Sequence, residues 1–127
     1  MTTVAAVLTC LVLGALAIFQ GLLALGAPLG RFAWGGQHRV LPRSLRAGSL
    51  VSMVIYALIA AVVLARATVV SPGDLPDGVI RAATWVVVAY FLLGIGMNLA
   101  SRSKPERLVM APVSAALCAL CAVVAVG

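Results

Sequence analysis

Residues 3–27 read TVAAVLTCLVLGALAIFQGLLALGA. This run holds no Asp, Glu, Lys or Arg, and the first charged residue of the chain is Arg31. A helix that crosses the hydrocarbon layer needs roughly 20 mostly apolar residues, and this stretch supplies them. It lacks the basic leader of a cleaved secretory signal and is longer than such a signal's apolar core, so it reads as a retained span.

Three more runs of the same kind follow, at about 47–70, 78–100 and 108–126. The connections between them are short. Residues 28–46 are rich in Gly and Arg, 71–77 read SPGDLPD, and 101–107 read SRSKPER. None is large enough to fold as a domain, and short connections make sequence neighbours antiparallel neighbours in space. Lipid offers no partner to an open backbone, so runs of this length cross as helices. The expected architecture is an all-α membrane protein, one domain over 1–127, with four transmembrane helices in an up-down antiparallel bundle.

Composition agrees. Of 127 residues, 64% are hydrophobic and 9% are charged, and the mean hydropathy is +1.19. Soluble domains carry about 25% charged residues, so a soluble domain, a disordered chain and a secreted disulfide scaffold are all excluded. The formal net charge is +6. The basic residues sit between apolar runs, without the folded scaffold or stacking motifs of a nucleic-acid binder, so no nucleic-acid partner is expected. They report orientation instead. Arg31, Arg39, Arg43, Arg46, Arg102, Lys104 and Arg107 lie in the first and third connections, against Arg66 and Arg81 near the second. The positive-inside rule then places the first and third connections in the cytoplasm and both termini outside the inner (plasma) membrane.

The first connection, GRFAWGGQHRVLPRSLR within residues 28–46, is expected to lie on the membrane surface as an amphipathic collar. Phe32 and Trp34 suit the headgroup layer, and Arg31, Arg39, Arg43 and Arg46 are suited to anionic lipid headgroups, at about 1 kcal/mol each near the surface. His38 reads as a solvated loop residue. Ser103-Lys104-Pro105-Glu106 fits the S-x-x-E capping box with proline in the first turn, and Asp74 and Asp77 are expected to cap the third span in the same way. On that reading no acid lies within a span, which argues against proton-coupled antiport by a membrane carboxylate. Arg66 and Arg81 are expected to snorkel, with Asp74 and Asp77 as partners.

Two small-residue stripes stand out: Cys10, Gly14, Ala17 and Gly21 on the first span, and Ala111, Ser114, Cys118, Cys121 and Ala125 on the fourth. Small residues let membrane helices approach closely. The stripes therefore predict that the first and fourth spans pack together; they serve equally a homo-oligomer or a larger membrane complex. A polar set gathers toward the cytoplasmic half: Gln20, Ser49, Ser52, Tyr56 and Asn98. It reads either as interhelical glue or as a small cavity for a polar ligand or solute.

Cys118-Ala119-Leu120-Cys121 has CxxC spacing, one helical turn apart, with Cys10 at similar depth. In helix count and these two residues the chain resembles the four-helix thiol oxidoreductases of the vitamin K epoxide reductase and DsbB types, which use such a pair beside a quinone site. Those families add cysteines in an external loop; SPGDLPD has none. Over WGGQHRVLPRSLRAGS and NLASRSKPERLVMAPVS, the arrangement resembles small four-span inner-membrane proteins common in actinobacteria, which implies fold and location but no activity. Hydrolysis and phosphoryl transfer lack their acids, bases and metal ligands. The expected function is non-enzymatic, with no cofactor and no metal: binding of a partner, a lipid or a small solute, as in a passive carrier or channel subunit. The alternative is a membrane thiol redox protein using Cys118 and Cys121, with Cys10.

Overall fold

A computed structural model describes all residues, Met1–Gly127. Four helices make up the chain: α1 (Thr2–Ala24), α2 (Arg43–Arg66), α3 (Asp77–Leu99) and α4 (Lys104–Val126). Two 3₁₀ turns, Gly30–Phe32 and Trp34–Gly36, lie between α1 and α2. Each helix is 23 or 24 residues long. At 1.5 Å per residue that is about 35 Å, enough to cross a hydrocarbon core of about 30 Å. All four are long and apolar enough to span, and the protein is a multi-pass membrane protein.

The outer surface confirms the solvent. Only 22 of 127 residues are buried, and large apolar side chains such as Leu11, Ile18, Leu58, Val86 and Leu93 point outward at 62–68% exposure. A water-facing bundle would bury that face; here lipid covers it.

Chain ends and connections sort to two ends of the bundle. At the terminal end, Thr2 meets Gly127, and Arg66 donates to the carbonyl oxygens of Ala125 (3.1 Å) and Gly127 (2.7 Å). Arg66 therefore does not snorkel beside Asp74 and Asp77. It caps the last carbonyls of α4, where a cation is favoured by the helix dipole and the carbonyls lack intrahelical partners. The opposite, basic end carries the 25–42 and 100–103 connections.

The extensive contacts are within the hairpins, α1 with α2 and α3 with α4, and α1 joins the two hairpins against α4. The core runs through Ala6, Leu13, Val63, Phe91, Leu117 and Cys121. The α1–α4 contact is as expected, and Cys121 of the fourth-span stripe lies at it, beside Thr9 and Cys10 of α1, while other stripe positions turn to the hairpin partners. Gly14 faces open space and Gly21 faces Met53 of α2. On α4, Ser114 packs against Gly94 and Asn98 of α3, and the Cys118 thiol points at the Val88 carbonyl, 3.7 Å away. Gly21, Ser114 and Cys118 thus serve the hairpin partners.

Helix ends also differ from the expected ones in one physical respect. α2 and α4 start four residues earlier, at Arg43 and Lys104; Pro42 and the Pro105 of the first turn set helix-compatible φ ahead of the apolar run. α1 stops at Ala24 because Gly26 turns left-handed at φ +94°. Neither expected cap forms. Pro76 stands at the N-cap of α3 and Ser103 at that of α4, and no side chain caps either helix.

Candidate functional site

The 25–42 connection packs on the basic end of the bundle. It folds inward over the basic end as a roof. Leu23, Ala33 and Leu41 bury together, with Phe19, Leu29 and Leu45 packed around them. Gly30 N–H donates to Arg39 O at 2.9 Å and closes the loop on itself. Arg46 Nε donates to Leu41 O at 2.8 Å and pins the loop's return to α2. Trp34, Gly35 and Gly36 are all left-handed, at φ +54°, +72° and +72°. Tryptophan in that region costs about 1–2 kcal/mol. The strain is held by packing: the indole lies on Gly48 of α2, where an added Cβ would stand 2.8 Å from a ring carbon.

The left-handed run turns the Gly35 N–H toward α4, and Glu106 Oε2 accepts it at 3.0 Å. The same oxygen accepts from Ser101 Oγ at 2.5 Å. Ser103 Oγ donates to the Arg31 carbonyl and accepts no bond from its own helix. The expected capping box is thus replaced by a latch between the roof and α4. Glu106 is 8% exposed and lies in the first turn of α4. The expectation that no acid enters the bundle is corrected at this position. A distant backbone N–H, brought in by the roof, outcompetes the local amides that a capping box would serve.

Beneath the roof and between the two hairpins lies a cavity of about 240 Å³. Its polar groups come from all four helices: Gln20, Tyr56, Asn98, Ser114 and Glu106. Gln20 Nε2 donates to Tyr56 Oη at 3.4 Å. Asn98 Nδ2 donates to Ser114 Oγ at 3.0 Å and to Met110 O at 3.4 Å. Gln20 Oε1 is buried and has no partner. The remaining wall is apolar or aromatic, with Phe19, Phe32, Trp34, Tyr90 and Phe91. Phe32 meets Phe19 edge to face, centroids 6.4 Å apart. Trp34 and Tyr90 are also part of the outer surface, at 46% and 43% exposure.

Of the polar set singled out in the sequence, the structure brings Gln20, Tyr56 and Asn98 to one wall. Ser49 and Ser52 are not on it. Ser49 is buried with an unpartnered hydroxyl, and Ser52 donates back to Gly48 O at 3.0 Å, the usual i−4 bond of a helical serine. Of the four arginines, Arg31, Arg39 and Arg43 are exposed; Arg46 is committed to the roof. Arg31 also lies over the Phe32 ring at 4.9 Å. The residues the sequence reading did not place here are Glu106, Ser114 and the aromatic wall. The one available signal was Glu106 at the edge of an apolar run, and its S-x-x-E spacing points to a cap.

All three cysteines are free. Cys121 is fully buried in the core, where a thiol behaves as a small hydrophobe. No cysteine lines this cavity, the one beside Arg66 and Arg81, or the groove on the outer face of α3, and no group of His, Cys, Asp or Glu side chains is placed to hold a metal ion.

Asn98→Leu removes two donated hydrogen bonds between α3 and α4. Such bonds average about 0.6 kcal/mol in a membrane protein, so the expected loss is about 1 kcal/mol in a denaturant titration in mixed micelles. A loss several times larger would show that Asn98 anchors more than these two contacts.

Comparison with known proteins found no matching family model, no similar curated protein and no matching solved structure.

Proposed function

We propose that this chain is a non-enzymatic solute-binding protein of the inner (plasma) membrane, holding a small, largely apolar ligand beneath the 30–36 roof. The seven basic residues at the roof end support an orientation with the roof in the cytoplasm and both termini outside. Arg31, Arg39 and Arg43 then ring the roof at headgroup depth, where anionic lipid adds about 1 kcal/mol for each.

The observation that carries the reading is the buried, unpartnered Gln20 Oε1 in a cavity whose wall is mostly apolar and aromatic. A buried acceptor without a donor costs about 1–3 kcal/mol. A ligand that donates one hydrogen bond and fills the apolar space removes that cost. Ligand sites are typically built this way, mostly apolar with a few convergent polar groups. Size follows from volume. An engineered cavity of about 150 Å³ holds benzene, so 240 Å³ suits a solute of about ten non-hydrogen atoms. Trp34, Tyr90, Leu93 and Met97 stand both on the cavity wall and on the outer surface, the side from which an apolar solute of the bilayer would enter.

The test uses protein in nanodiscs carrying Trp85→Phe, so that Trp34 is the lone indole. Small aromatic solutes of this size, 2-phenylethanol and its charged analogues, are titrated against its emission. At least one is expected to saturate. Gly94→Leu should abolish the saturation: a Cβ at Gly94 sits at ordinary contact, 3.6 Å from Ser114 Oγ, and the remaining carbons enter the cavity. If every solute responds linearly and alike in both proteins, the signal is partition into lipid and the reading fails.

A further inference from the structure

We propose that the ligand of this cavity is an organic cation, a primary ammonium group on an aromatic or alkyl body. The inference rests on reading the cavity as a binding site and adds the ligand's charge and donor pattern.

Three features of the wall converge on this class. First, no Lys, Arg or His lines the cavity, in a chain where basic side chains outnumber acidic ones nine to three. The basic residues crowd the same end of the bundle and are nevertheless kept off the wall. An anionic ligand would meet no counter-charge there.

Second, two acceptors on the wall lack a full set of donors. Gln20 Oε1 is buried without a partner. Glu106 uses only Oε2, for Gly35 N–H and Ser101 Oγ, which leaves Oε1 for a ligand. Both Asn98 Nδ2 hydrogens are used, on Ser114 and Met110, and one of the two on Gln20 Nε2 is used on Tyr56. Two open acceptors, one of them on a carboxylate, suit a ligand that donates. An ammonium group offers three donors and no acceptor, and a buried charge of this kind is tolerated only with a counter-charge and hydrogen bonds. Glu106, at 8% exposure, supplies the first, and Gln20 adds to the second.

Third, the apolar wall is aromatic. Phe19, Phe32, Trp34, Tyr56, Tyr90 and Phe91 all line the cavity. Aromatic faces attract cations more strongly once water is excluded, and they accept an aryl body equally well. The residues that would recognise the charge also hold the roof.

The experiment compares three probes of one size in the same Trp85→Phe nanodiscs of zwitterionic lipid: phenethylammonium, 2-phenylethanol and phenylacetate. Phenethylammonium is expected to half-saturate at a concentration at least tenfold below 2-phenylethanol, and phenylacetate not to saturate. Glu106→Gln should bring the ammonium probe to the level of the alcohol. Gln20→Leu should weaken both. If the alcohol or phenylacetate saturates and the ammonium probe shows no preference, the cation inference is overturned while the cavity remains a binding site. If none of the three saturates, the cavity reading falls and this inference with it. An ammonium preference that survives in folded Glu106→Gln protein would also overturn it. Should Glu106→Gln fail to fold, the unsubstituted comparison of ammonium with alcohol decides.

Discussion

Gly30→Ala is expected to undock the roof while leaving the four-helix bundle intact. Gly30 is buried, and a Cβ built on it would overlap the carbonyl oxygen of His38, with the Arg39 carbonyl oxygen 2.9 Å away. The obstacles are backbone atoms of the same loop, so no side-chain rotamer relieves them. Those carbonyls are held in place by the bond from Gly30 N–H to Arg39 O. Adding one methyl group to a packed site costs typically 1–3 kcal/mol, and with an unyielding backbone about 3 kcal/mol is expected. The roof is fastened by a three-residue apolar cluster, the Glu106 latch and the Arg46 tie, so a cost of that size competes with its docking. Trp34 emission should shift to longer wavelength, the bonds after Arg31 and Arg39 should become cleavable by trypsin, and saturable solute binding should disappear. Gly35→Ala is the matched control. Gly35 is left-handed at φ +72° but has open space around its Cβ position, so the cost is conformational alone, about 1–2 kcal/mol. If the two variants open the roof equally, the close approach at Gly30 does not hold the loop.

That contrast also marks where sequence reading stops. The four helices are legible because each run of apolar residues matches the thickness of a bilayer, and no local competition blurs a signal of that length. The polar positions Gln20, Tyr56 and Asn98 are legible as a set because they fall in the same half of three spans. The roof is not legible. Glycine and arginine in GRFAWGGQHRVLPRSLR look like a wet surface segment, and only the fold shows that Gly30 and Gly48 are there for close approach while Gly35 and Gly36 bend the chain left-handed. Glu106 is misread for a related reason. Its spacing from Ser103 satisfies a local rule, and the partner that wins, Gly35 N–H, is 71 residues away in the chain. The small-residue stripes are legible in part: the α1–α4 contact they predict is present, but neither Gly21 nor Ser114 carries any mark of which helix it packs against.

Leu117→Ala tests the cavity from its other side. Leu117 is 1% exposed, belongs to the main core and lines the cavity floor. In a soluble protein, truncating a buried leucine costs 2.7–5.0 kcal/mol in one well-studied series, part transfer free energy and part the cavity left behind. The transfer part is largely absent here, because lipid tails are as apolar as the leucine they would receive. The lost packing remains. About 80 Å³ of new void at about 24 cal/mol per Å³ gives about 2 kcal/mol, to be read as a lowered midpoint in denaturant titration without ligand. The new space is continuous with the existing cavity, so the same substitution should change what fits. Probes with one further methylene, such as 3-phenylpropylammonium, should gain affinity relative to phenethylammonium, and their binding should restore part of the lost stability through the preference for the folded state. A variant that loses about 2 kcal/mol yet keeps the original size preference would place the ligand away from Leu117, nearer the lipid-facing side between Trp34 and Tyr90. A variant that loses nothing would mean that the helices close over the gap, and that the floor of the cavity is softer than the contacts of Leu117 require.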